Sequence, residues 1–120
     1  MSSGLALIIE DDADLAIIFS EALKAVQYET EIICDGNAAL TRLAVTTPSL
    51  VVLDLHLPYV AGTDILRQIR SDDRLTGTFV IVATVDARMA ETLHEEADLV
   101  LVKPVSFGQL RDLAARLSST

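Results

Sequence analysis

Five short apolar runs recur along the chain, and each is followed by a segment whose apolar residues fall at helical spacing. Residues 5–9 form a continuous apolar run, the pattern of a parallel strand covered on both faces. Leu15, Ile18, Phe19, Ala22, Leu23 and Val26 then recur at helical intervals, with Asp12 or Asp14 available as a cap. Residues 31–34 read as a short second strand, Asp35-Gly36-Asn37 as a turn, and 38–45 as a helix that ends before Pro48. A third strand is expected over 50–53 and a third helix over 63–70, with Ile65, Leu66 and Ile69 apolar. A fourth strand and helix follow over 78–83 and 87–96, then a fifth pair over 99–102 and 107–117, with Leu110, Leu113 and Leu117 inward. Successive βα units with right-handed crossovers dictate a parallel sheet with helices on both faces.

Length and composition narrow the class. A chain of 120 residues, 51% hydrophobic, supports one domain with a real core and not two. No apolar run approaches the roughly 20 residues of a membrane span, and Met1-Ser2-Ser3-Gly4 lacks the basic-then-apolar order of a signal peptide. The single cysteine, Cys34, allows no internal disulfide; beside Ile32 and Ile33 it is expected to be a small core residue. A cytoplasmic setting fits these features. The net charge of −9, with scattered Lys and Arg, opposes a nucleic-acid surface, which needs clustered cations. Acids gather at Glu10-Asp11-Asp12 and Asp14, as in a cation site, and at Glu91, Glu95 and Glu96, most simply a solvated helix face. No repeat or linker interrupts the pattern. The start at Met1 suits a stand-alone or N-terminal domain, and polar Ser118-Ser119-Thr120 suits a frayed end or the beginning of a linker.

Four of the apolar runs deliver a polar group at their C-terminal ends: Glu10-Asp11-Asp12, Asp54, Thr84 and Lys103-Pro104. Open α/β sheets bind ligands beyond the carboxyl ends of their strands. An ionised acid at a buried strand end needs a cation, hydrogen bonds or chemistry to compensate it. A helix start would explain Glu10-Asp11-Asp12 alone, a loop cap Asp54 alone, and a snorkelling side chain Lys103 alone. None of these explains the four together.

In this order and spacing, Leu7-Ile8-Ile9-Glu10-Asp11-Asp12, Asp35-Gly36-Asn37-Ala38-Ala39-Leu40, Asp54-Leu55-His56-Leu57-Pro58 with Gly62, Thr84, and Lys103-Pro104 resemble the receiver domain of a two-component response regulator. The resemblance spans the chain as one domain, 1–120, with its core over about 5–117. It implies a flavodoxin-like, doubly wound five-stranded parallel sheet of order 2-1-3-4-5 flanked by five helices, phosphorylated on Asp54. It implies Mg²⁺ held by Asp11, Asp54, the backbone carbonyl of His56 and, through water, Glu10. Asp12 is then an auxiliary charge or helix cap. Phosphoryl transfer onto a carboxylate brings two anions together, so a hard cation must cancel the repulsion before Asp54 attacks in line. Lys103 and Thr84 would each meet a phosphoryl oxygen, and the Lys103-Pro104 peptide would be cis, aiming the ammonium into the site.

The resemblance also implies a switch in which Thr84 moves inward and the face of the fourth helix, fifth strand and fifth helix changes its partner preference. Thr84, Val85, Val100 and Pro104 are the positions expected to carry it. The implied phosphodonor is a histidine kinase or histidine phosphotransfer protein, and the implied target an output domain or protein. Neither direct nucleic-acid binding by this chain nor a membrane is implied; homodimerisation is left open. The chain would be a phosphoacceptor assisting its own phosphorylation and dephosphorylation, not an enzyme.

Some positions depart from the family pattern. Val100 stands where receivers usually carry an aromatic, which removes an aromatic-rotamer readout. Val85 replaces a small residue after Thr84 and is expected to narrow access to the phosphoryl group. The stretch from Thr84 to Lys103 is about one helical turn short, and no Gly precedes Ala97-Asp98. His56 is expected either to tune phosphoryl lifetime from an exposed loop or to be a neutral surface residue, Asp86 to gate hydrolysing water in concert with His56, and Tyr59 and Phe107 to pack. His94 is no phosphotransfer histidine, because such modules are helical bundles. Val85, Val100 and the short fourth helix favour a degenerate receiver that acts as a phosphorylation-independent binding module; the complete set Glu10, Asp11, Asp54, Thr84 and Lys103 opposes it. A phosphatase of the haloacid dehalogenase type needs a second acid where His56 stands, and three acids after the first strand would repel a flavodoxin's FMN phosphate.

Overall fold

In the computed structural model, which describes residues 3–118, five parallel strands form one sheet of order β2-β1-β3-β4-β5. The strands are β1 (Gly4–Ile9), β2 (Tyr28–Ile33), β3 (Leu50–Asp54), β4 (Phe79–Thr84) and β5 (Leu99–Val102). The helices are α1 (Ala13–Lys24), α2 (Gly36–Leu43), α3 (Gly62–Ser71), α4 (Ala87–Thr92) and α5 (Phe107–Ser118), with a 3₁₀ turn at Asp73–Leu75. This is the expected doubly wound architecture. No helix among the described residues is long and apolar enough to cross a membrane.

Alternate strand residues supply two cores, which is why the central runs are apolar throughout. Ala6, Ile8, Leu50, Val52 and Ile81 pack with Phe19 and Leu23 of α1 and Leu110 and Ala114 of α5. Leu7, Ile9, Val51, Leu53 and Val82 pack with Leu43 of α2, Ile65, Leu66 and Ile69 of α3, and Leu93. Each fully buried Leu or Ile contributes about 1.5–3 kcal/mol relative to exposure. The strands are thereby anchored, and their carboxyl ends are held at one edge of the sheet.

Several expectations are corrected. β2 begins at Tyr28, three residues before the expected start, because Gly4 to Ile9 of β1 pair with it throughout; its exposed Glu29 obscured the pattern. Cys34 is exposed rather than buried, since it follows the last residue of an edge strand. The helix expected at 38 starts at Gly36, because Asp35 accepts the Ala38 N–H at 2.8 Å and turns the presumed loop into an N-cap. The helix expected over 87–96 ends at Thr92, and His94 lies in the turn beyond it. Ile17 and Ile18 are 54% and 42% exposed, so the apolar stripe of α1 is wider than its buried face. Tyr59 does not pack: it is 87% exposed at φ +71°. Phe107 is partly exposed and lies under the Arg111 guanidinium, 5.6 Å from its ring centre. The expectations for Met1-Ser2 and Ser119-Thr120 fall outside the described residues.

Candidate functional site

The carboxyl ends of β1, β3, β4 and β5 bring Glu10, Asp54, Thr84 and Lys103 together, although they are distant in sequence. Asp54 ends β3 and Thr84 ends β4; both side chains are buried. The backbone N–H of His56 donates to Asp54 Oδ1 at 3.1 Å, which turns the loop back over the carboxylate. Gly62 closes that loop through an N–H to Leu55 carbonyl bond of 3.2 Å. A Cβ at Gly62 would stand 2.5 Å from Leu55 Cα and 2.6 Å from the Asp54 carbonyl, so glycine is required by close approach.

Lys103 follows β5, and its N–H donates to the Thr84 carbonyl at 2.7 Å. Its Nζ donates to Glu10 Oε1 at 2.9 Å and lies 3.4 Å from Asp54 Oδ1. The Lys103-Pro104 peptide is cis, as the resemblance implied. Burial works against the ammonium, but the Glu10 hydrogen bond and the charges of Asp54 and Glu10 outweigh it and raise the Lys103 pKa. Burial raises the Glu10 carboxyl to about 7; Asp54 adds to this, and Lys103 partly offsets it.

Carboxylate oxygens of Glu10, Asp11 and Asp54 lie within 4.8 Å of one another, with Asp11 exposed and the other two buried. This donor set is all oxygen and hard. One nearby ammonium does not balance three acids when all are ionised. Both features fit a small divalent cation such as Mg²⁺. Asp12 is exposed and caps α1, accepting the Leu15 N–H at 3.1 Å, one of the two roles expected of it.

Asp86 Oδ1 caps α4, accepting the N–H groups of Arg88 at 2.9 Å and Met89 at 3.2 Å. The Asp86 N–H donates to Thr84 Oγ1 at 3.1 Å. The His56 side chain and Val85 are exposed, while Val100 packs partly buried against the core on the α3 side. Sequence reasoning missed the direct Glu10–Lys103 pair, since nothing local links residues 93 positions apart.

Comparison with known proteins is consistent across the chain. The family model of the response regulator receiver domain matches residues 6–115. The DNA-binding response regulator MtrA of Mycolicibacterium paratuberculosis is 32% identical over 111 residues, covering 92% of this chain and 48% of that protein. The chain thus spans about half the length of the curated relatives it matches. The signal receiver domain of a signal transduction histidine kinase from Syntrophus aciditrophicus superposes with a TM-score of 0.85 at 29% identity, covering 97% of this chain and 90% of that one. The Mn²⁺-bound form of response regulator Rcp1 gives a TM-score of 0.79 at 25% identity, covering 97% of this chain and 92% of that one.

Proposed function

Because the chain belongs to the response regulator receiver domain family, we propose that Asp54 is its phosphoacceptor. The observation that carries this is the position of Lys103 Nζ between Glu10 and Asp54, at the open end of a sheet that buries both acids. An ammonium held there by two acids can exchange one partner for a phosphoryl oxygen without leaving the site. The Asp54 carboxylate, oriented by the His56 N–H, forms a bond to phosphorus as the bond to the donor breaks and the donor departs with its electron pair. Lys103 then neutralises one phosphoryl oxygen, and the Thr84 hydroxyl donates to another.

Asp11 and Asp54 would hold Mg²⁺ directly, with Glu10 joining through water and His56 through its carbonyl; bound there, the ion supplies the charge that cancels anion–anion repulsion. The domain is then a phosphoacceptor assisting its own chemistry, not an enzyme with a separate substrate. Its donor is a histidine kinase or histidine phosphotransfer protein of the cytoplasm, and its target an output domain or protein. Val100 and the short α4 favour a second reading, a binding module independent of phosphorylation. Intact mass after incubation with acetyl phosphate, with and without Mg²⁺, separates the two. A Mg²⁺-dependent gain of one phosphoryl group, absent in Asp54→Ala, supports the phosphoacceptor; no gain in folded protein supports the binding module.

A further inference from the structure

The two ends of the segment that carries α4 are held very differently. At its far end the guanidinium of Arg70 in α3 donates to the Glu96 carbonyl at 2.6 Å, the Thr78 carbonyl at 3.2 Å and Asp98 Oδ2 at 2.6 Å. Asp98 Oδ2 also accepts the Val80 N–H at 2.7 Å, and the Asp98 N–H bonds the Val80 carbonyl at 3.0 Å. Leu93 and Ala97 are buried beside this cluster of bonds. The turn entering β5 is therefore fastened both to the start of β4 and to α3.

The near end has no such fastening. Val85, Asp86, Ala87 and Arg88 are exposed, and Ala90 is the one buried residue of α4. Among the described residues its polar anchors are the Asp86 cap and the bond from the Asp86 N–H to Thr84 Oγ1. That oxygen can keep accepting from Asp86 while its own proton turns to a new acceptor. A displacement of the Thr84 side chain therefore pulls directly on the first residue of the α4 cap.

Resting on the assignment of Asp54 as phosphoacceptor, we infer that the structural response is confined to residues 85–92, which pivot against the Arg70–Asp98 clamp, with Asp86 the positioning residue that ties α4 to Thr84. The clamp holds the entry to β5 in place. The surface offered to a partner thus changes at exposed Val85 and Arg88, and not at the turn entering β5.

Hydrogen exchange by mass spectrometry on the full chain, with Mg²⁺ alone and with Mg²⁺ plus beryllium fluoride as the phosphoryl mimic, tests this beside the acetyl phosphate mass assay. The expected result is a change of about fivefold in exchange over 85–92, the size of one hydrogen bond's contribution, with 93–102 unchanged. Asp86→Ala should still gain mass but exchange fast over 86–91 in both states, whereas Asp86→Asn, which can cap, should restore the response. Arg70→Lys, which keeps the charge but loses the fork, should let the change spread into 93–102. A mass gain with equal changes over 85–92 and 93–102 in the unaltered chain, or with none over 85–92, overturns the inference alone. No mass gain in folded protein overturns the phosphoacceptor assignment and the inference with it.

Discussion

The Lys103 ammonium is nearer to Glu10, at 2.9 Å, than to Asp54, at 3.4 Å. The acid at the end of β1 therefore holds the cation that the acceptor on β3 would use, and the charge balance of the site depends on the protonation of Glu10.

That dependence is measurable through metal binding. With the Glu10 carboxyl raised to about 7, chiefly by burial, a proton competes with a divalent cation as pH falls below that value. Mg²⁺ affinity measured by calorimetry should be about tenfold weaker at pH 6 than at pH 8. Glu10→Gln should flatten this dependence; an equally steep profile in that variant would assign the titration to another group.

The same shift sets the pH dependence of metal-free stability. The ordinary Glu value of 4.5 lies below the folded value of about 7, so between them the folded state binds more protons than the unfolded chain. Stability attributable to Glu10 therefore rises as pH falls from about 7 toward 4.5. Urea unfolding in the presence of chelator should show this rise, and Glu10→Gln should remove it.

Lys103→Met removes the cation from two buried acids. Breaking one partner of a buried pair costs about 3 kcal/mol or more, and the loss should be larger at pH 8 than at pH 6, where Glu10 can take up a proton. Denaturant midpoints at the two pH values check this. The phosphorylation rate with acetyl phosphate should fall in the same variant.

Tyr59 occupies the left-handed region at φ +71°, inside a turn closed by the Val60 N–H on the Pro58 carbonyl at 2.9 Å. A non-glycine residue there stores about 1–2 kcal/mol of strain. Tyr59→Gly should stabilise the fold by about 0.5–1 kcal/mol after the entropy cost of glycine is subtracted. An unchanged or lower urea midpoint would show that the tyrosine ring compensates the strain.

Gly62→Ala makes the opposite prediction. The added methyl meets backbone at Leu55 and Asp54, which cannot swing aside as a flexible side chain would. A loss of about 1–3 kcal/mol is expected, together with slower phosphorylation, because the displaced backbone carries the acceptor.

Strand and helix succession, the two-sided burial of β1, β3 and β4, and the placing of Glu10, Asp54, Thr84 and Lys103 at strand ends were all legible in the sequence. These follow from side-chain periodicity, which is local. Tertiary structure alone decided that Glu10 pairs with Lys103 and that Arg70 of α3 fastens the entry to β5. It also decided that Cys34 is exposed and that Tyr59 stands clear of the core. Local patterns specify which face of an element is apolar. Which polar partners meet, and which apolar residues stay uncovered, depends on how distant elements pack, and periodicity carries no record of that.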